Sequence, residues 1–293
     1  METIGGQAVL SGVMMRTRER WVVAVRLPEG EIARHAGTTP AWARRVDRLP
    51  LIRGVVALGE TLVLGSRALS WSAAHTGAET TTTTTHGDAA WKRRLAGVVA
   101  VALAVALFAV VPALAARAAS PVIGDGIGPG IGEGLLRLLL FVAYVAAIRL
   151  SPGVREAYGY HGAEHMAIAA YEAGDGLDPA AMRRRSRLHA RCGTDFLLLI
   201  VALSAVLFAV VPADSAATLA ATRVLLLPVV AGLTYELLRL ARRFPRHPLV
   251  RVMVAPGMAL QRITTREPSD AQLEVAAAAL QLVLEPSATR PAS

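Results

Sequence analysis

The sequence predicts a mainly α, polytopic membrane protein: four transmembrane helices in two hairpins, with a small N-terminal cytoplasmic segment that contains a β-hairpin. Three observations carry this. Of 293 residues, 54% are hydrophobic and 18% charged, with a mean hydropathy of +0.45. An ordinary soluble domain holds about 25% charged and about 45–50% apolar residues. Two uncharged runs are long enough to cross a bilayer, and most of the 31 Lys and Arg residues lie outside the apolar stretches. This balance excludes a disordered chain and argues against an ordinary cytosolic enzyme.

The N-terminal segment, residues 1–79, begins with an acid at position 2 and no basic run ahead of an apolar one, so Met1 to Gly12 does not read as a secretory signal peptide. Residues 20–36 alternate as strands. Trp21, Val23 and Val25 share one face, Leu27-Pro28-Glu29-Gly30 supplies a turn, and Ile32 and Ala33 begin the return. Gly5, Gly6 and Gly12 indicate tight backbone nearby without matching a nucleotide-binding spacing. Leu51 to Ser72 reads as a long helix on or against the membrane, its apolar stretches broken by Arg53, Glu60 and Arg67. The threonine run Thr80 to Thr85 marks a linker that extends over residues 80–94.

The first hairpin is expected over 95–150. Leu95 to Ala116 is 22 residues without a charge, directly after Lys92, Arg93 and Arg94, and 1.5 Å per residue covers the roughly 30 Å hydrocarbon core. Gly134 to Leu150 returns, with Arg137 near its start. The second hairpin, 196–240, pairs the 18 uncharged residues Phe196 to Ala213 with Val224 to Leu238, which carries Pro228 and Glu236. Residues 1–94 hold 13 basic residues, 149–195 hold 7 and 239–293 hold 8, whereas each inter-span loop holds one. The positive-inside rule then places both termini and the 151–195 loop in the cytoplasm. The net charge of +9 and the pI near 10.8 thus read as topology, with the lipid bilayer as partner and no specific nucleic acid. LFAVVPA occurs at 107–113 and again at 207–213, and 11 of 16 positions agree between 101–116 and 201–216. This is either a parallel repeat or convergence of two Ala/Val/Leu-rich spans.

The chemistry concentrates in the 151–195 loop. If Tyr158 to Ala173 is helical, His161 and His165 stand one turn apart on one face, where two imidazoles can meet one metal ion. His-x-x-Glu-His is the inverted zincin order, in which the glutamate, here Glu164, serves as general base. His189 and Cys192 follow three apart, just before the third expected span. Imidazole and thiolate are ligands that Zn²⁺ favours. A closed set of His161, His165, His189 and Cys192 would be structural, and three of them plus water catalytic. The lone cysteine cannot form an intramolecular disulfide. Glu236 is a further ionisable group within an apolar run, either functional or paired with Arg239. In the C-terminal segment, 241–293, Ser269 is placed to cap a helix over Asp270 to Leu284.

These motifs resemble the YqhQ-like family (DUF1385), bacterial membrane proteins described as suspected metal-dependent enzymes. The resemblance spans nearly the whole chain. It rests on Gly5-Gly6-Gln7-Ala8-Val9, Gly12-Val13-Met14-Met15-Arg16, Tyr160-His161-Gly162-Ala163-Glu164-His165, Arg191-Cys192-Gly193-Thr194, Tyr235-Glu236-Leu237-Leu238, Ala255-Pro256-Gly257 and Thr264-Thr265-Arg266-Glu267-Pro268. It implies an inner-membrane protein with a metal site on His161, His165, His189 and Cys192. Met166 stands where such families usually carry Lys, and Ser11 where an acid is expected; neither change removes a proposed ligand. Two functions follow as expectations: a zinc-dependent hydrolase at the cytoplasmic membrane face, or a non-catalytic zinc-stabilised scaffold that docks a membrane or cytoplasmic protein. Transport is disfavoured by spans so poor in polar residues.

Overall fold

The computed structural model of the chain describes residues 2–40, 49–77, 89–123, 127–190, 192–211, 215–244 and 246–285. The threonine run of the expected linker lies outside the described residues.

Four short strands form one antiparallel meander in chain order: β1 (Gly5–Val9), β2 (Gly12–Arg16), β3 (Arg20–Arg26) and β4 (Ile32–Thr38). The expected hairpin is β3–β4, with Val25 opposite Ala33 and Gly30 in its turn at φ 94°. The sheet is larger than the sequence indicates, because Gly5, Gly6 and Gly12 lower strand propensity and mask β1 and β2. Both faces are covered. Trp21, Val23 and Val25 join Val9 and Met14 against Leu64 and Ala68 of helix α1 (Ile52–His75). The opposite face, with Val13, Met15, Val22 and Ala24, packs on helix α5 (Pro152–Ala173) and on the C-terminal helix α10 (Asp270–Leu284). The last segment of the chain thus folds onto the first. Ser269 caps α10 as expected, and the Gln272 side chain accepts the Ser269 N–H in return, completing a capping box.

In the membrane layer, α2 (Ala89–Val105), a π-helical turn (Ala106–Val110) and α3 (Val111–Ile123) run on as one rod. After it come α4 (Ile127–Ile148) and, beyond the short α6 (Pro179–Arg183), α7 (Gly193–Ala209) and α8 (Ala216–Arg243). Helix α9 (Pro248–Thr264) precedes α10. Among the described residues three helices are long and apolar enough to cross a membrane: Leu95–Ala119, Gly130–Ile148 and Ala217–Arg243. The fourth expected span, Phe196 to Ala213, is not clearly one among the described residues. Helix α7, which holds most of this run, has 17 residues, about 25 Å at 1.5 Å per residue against roughly 30 Å for the hydrocarbon core. The helix begins at Gly193, where the Cys192 sulfur accepts the Thr194 N–H, and it stops at Ala209.

The two LFAVVPA copies differ in structure. Pro112 lacks the N–H that would bond the Phe108 carbonyl four residues back. The chain passes Pro112 through the π-turn, and the freed Phe108 oxygen accepts Arg137 Nε at 2.6 Å. In the second copy the helix ends before Pro212, which lies outside the described residues. Between the hairpins, Arg137 and Arg223 share the Glu133 carboxylate, Arg137 Nη2 at 2.5 Å and Arg223 Nη2 at 3.1 Å, and their guanidiniums flank the Phe208 ring at 4.6 and 4.8 Å. Arg137 also donates to the Ser204 hydroxyl. All three charged side chains are buried.

Helix α1 docks on α8 near residues Gly54 and Gly232, where a Cβ on Gly54 would lie 2.9 Å from the Gly232 Cα. Glu236 accepts from both Arg53 Nε and Arg53 Nη2 and from the Leu51 N–H. Its hydrogen-bonded partner is therefore Arg53 on α1, where the local sequence offered Arg239.

Candidate metal centre

The site is built on the middle of α5. Pro152 starts this helix and Gly174, left-handed at φ 73°, stops it. His161, Glu164 and His165 fall in the half of α5 that is buried between the sheet and the segment leading into α10. That segment approaches unusually closely. The Arg266 N–H donates to the Tyr158 carbonyl, and a Cβ on Gly162 would lie 2.2 Å from the Arg266 oxygen.

This fold turns both rings to the same task. His161 Nδ1 lies 2.9 Å from the Thr264 carbonyl and His165 Nδ1 lies 2.6 Å from the Arg187 carbonyl. A carbonyl only accepts, so each Nδ1 carries the proton and each Nε2 keeps its lone pair. Ligating histidines are oriented in this way, the second nitrogen donating to a backbone oxygen. Cys192 arrives from the start of α7, its Sγ 3.2 Å from His161 Nε2 and 3.0 Å from the Thr194 hydroxyl. One ligand atom each from His161, His165 and Cys192 lie within 4.8 Å of one another. A tetrahedral ion with bonds of 2.0–2.3 Å sets its ligands about 3.3–3.6 Å apart, so small side-chain rotations close the set. Two imidazole nitrogens and one sulfur form a donor set suited to a divalent metal ion.

Burial keeps the ligands neutral. It lowers His161 and takes His165 down to about 3, where the neighbouring His161 adds to the effect. It lifts the Cys192 thiol to about 12, aided by the charge of Glu164. A bound cation reverses the last shift, since a coordinated thiol loses its proton.

His189 sits outside the three-atom group. Its ring is 5.7 Å from that of His165, and its Nε2 is 3.3 Å from a Glu172 carboxylate oxygen. Its backbone is clamped by Gln261, whose amide accepts the His189 N–H and donates to the His189 carbonyl. Gln261 also donates to Asp195, a buried carboxylate that lines a cavity of about 60 Å³ with Leu198, Pro256 and Gly257. Glu164 lies beside the ligands, fully enclosed. Its Oε2 has no hydrogen-bond partner among the described residues, and burial lifts its carboxyl to about 8. It is covered by β1: a Cβ on Gly6 would stand 2.7 Å from Glu164 Oε1.

Sequence reasoning missed Gly6, Thr264, Arg187, Gln261 and Asp195. The glycines and the TTREP segment were visible as motifs, but backbone carbonyls carry no side-chain signal. The two departures from the family pattern leave the ligands alone. Met166 fills the core beneath the sheet, and Ser11 bonds Glu156.

Residues 49–286 match the family described as "Protein of unknown function (DUF1385)". The chain belongs to the DUF1385 family. An "Uncharacterized protein YqhQ" from Bacillus subtilis (strain 168) is 29% identical over 283 residues, covering 93% of this chain and 89% of the relative. No solved structure matches. The DUF1385 match takes in α5, the loop that brings Cys192, and the Thr264–Pro268 segment that orients His161.

Proposed function

We propose that this DUF1385 member is a zinc-dependent hydrolase of the cell inner membrane, with both termini and the site in the cytoplasm. The observation that carries the reading is the donor set. Among the described residues three ligand atoms converge, and a buried carboxylate with an unsatisfied oxygen lies next to them. Three protein ligands plus water is the pattern of catalytic zinc. Zinc held there supplies Lewis acidity, which polarises a substrate oxygen and acidifies water. His161 and His165 offer Nε2, the thiol of Cys192 gives up its proton on binding, and Thr264 and Arg187 hold the two rings in register. Glu164 takes the proton that water loses and returns it to the leaving group. A cation beside it favours the ionised form that this role requires. His189 and Glu172 position the His165 side of the site. The cytoplasmic orientation is supported by the concentration of Lys and Arg on residues 1–94, 149–195 and 239–293.

One observation favours a second reading, a zinc clamp in a scaffold that docks a protein partner. The ligands come from α5 and the start of α7, and their hydrogen-bond partner Thr264 from the end of α9, so an ion would tie the soluble layer to the membrane layer. Glu164→Gln in detergent-purified full-length protein separates the two. The hydrolase reading expects metal content to be kept and turnover of chromogenic ester or peptide substrates to be lost. A mild effect of Glu164→Gln, with no turnover by the unmutated protein and loss of fold stability in His161→Ala, His165→Ala and Cys192→Ala, would favour the clamp.

A further inference from the structure

Helix α9 follows the span of α8 through residues 244–247, so its first turns lie at the membrane surface where α8 ends. One face is committed to the protein: Gly257, Leu260, Gln261 and Thr264 are buried, against α7 and α4. The other is an exposed apolar stripe. Leu249 is 73% and Val252 71% exposed, and Ala255, Pro256 and Ala259 continue it at helical spacing. Phe244, just ahead of the helix, is exposed as well. Around the start of the stripe stand Arg242, Arg243, Arg246 and Arg251, all exposed. Among the described residues no carboxylate pairs with any of the four.

Water does not suit the apolar half of this surface. An apolar stripe rimmed by cations is the composition of a helix lying in the headgroup layer, with its apolar side at the acyl boundary and its arginines reaching anionic headgroups. Continuity with the span fixes the depth at which this occurs, and four unpaired guanidiniums give the sign of the headgroup. We propose that α9 is an interfacial helix and that Arg242, Arg243, Arg246 and Arg251 form a binding site for anionic phospholipid. The occupied surface lies on the helix whose far end holds the metal-centre residues, through Gln261 on His189 and Thr264 on His161. Lipid seated at the start of α9 therefore braces the element that orients a candidate ligand. The inference rests on the membrane spans and stands without the metal.

The test uses full-length protein in nanodiscs of equal parts phosphatidylcholine and phosphatidylglycerol, with the lipids that remain bound on release identified by native mass spectrometry. Unmutated protein is expected to retain phosphatidylglycerol in clear excess, and Arg242→Gln/Arg243→Gln/Arg246→Gln/Arg251→Gln to retain the two lipids equally. A second arm does not depend on that variant folding. In discs of phosphatidylcholine brominated on the acyl chains, the indole introduced by Leu249→Trp is expected to be quenched relative to unbrominated discs. Equal phosphatidylglycerol excess in both proteins, or an unquenched indole, overturns the proposal; the latter result would assign the stripe to a protein partner.

Discussion

His161 Nε2 lies 3.2 Å from Cys192 Sγ, while the other nitrogen of the same ring lies 2.9 Å from the Thr264 carbonyl. The ring proton is committed to Thr264, so the thiol is the donor between the two ligand atoms. Metal uptake must displace that proton.

Metal binding should therefore release protons in a pH-dependent count. Near pH 6.5 the thiol of Cys192, raised to about 12, and the carboxyl of Glu164, raised to about 8, are both protonated. His165, lowered to about 3, has none to lose beyond its neutral form. Zinc titration by calorimetry in buffers of different ionisation enthalpy should give about two protons per ion, and about one for Glu164→Gln. Equal release from the two proteins would mean that Glu164 does not sense the ion.

The same carboxyl sets a pH slope for the metal-free fold. Its pKa in the folded protein, about 8, lies above the ordinary 4.5. The stabilisation is thus fully present below pH 4.5 and is lost as pH rises through 8, at about 1.4 kcal/mol per pH unit in between. Below about pH 6.5 the lowered His161 and His165 oppose this slope, so thermal melts in EDTA should show stability falling between about pH 6.5 and 8, and Glu164→Gln should remove that fall.

Gly6 leaves the space into which Glu164 is folded. A methyl there would stand 2.7–2.9 Å from three atoms of the Glu164 side chain, so Gly6→Ala forces the carboxylate aside or the strand outward. We expect about 1–3 kcal/mol of destabilisation with zinc stoichiometry unchanged, since no ligand atom is touched. Elemental analysis beside a denaturation curve checks both halves.

Glu133 neutralises two buried guanidiniums between the hairpins. Glu133→Gln leaves both without a counter-charge, and breaking a buried ion pair costs about 3–5 kcal/mol. Arg223→Leu removes one cation and leaves the Glu133–Arg137 pair, so its effect should be smaller. Unfolding in graded SDS should rank the variants in that order.

The residues show how far sequence alone reaches. His161 and His165 were legible because helical spacing is local, and Cys192 because it is the lone thiol beside them. His189 was legible as a further candidate, but its three-residue spacing to Cys192 says nothing of Glu172 of α5, which lies 3.3 Å from its Nε2 and sets it apart from the three-atom group. The carbonyls of Thr264 and Arg187 that fix the tautomers have no side-chain signature. In the fold, composition located the apolar runs but not the ends of α7, which begins three residues before the Phe196 run and stops four residues before its end. Glu133 and Arg137 are visible as an i,i+4 pair, but Arg223 joins them from the other hairpin, 90 residues away from Glu133.

The most direct test of the centre is the zinc content per chain of detergent-purified protein and of four single variants. One ion per chain is expected in the unmutated protein and in His189→Ala, with loss of the ion in His161→Ala, His165→Ala and Cys192→Ala. Sub-stoichiometric metal in the unmutated protein, or loss in His189→Ala equal to that in His161→Ala, would contradict a three-ligand centre.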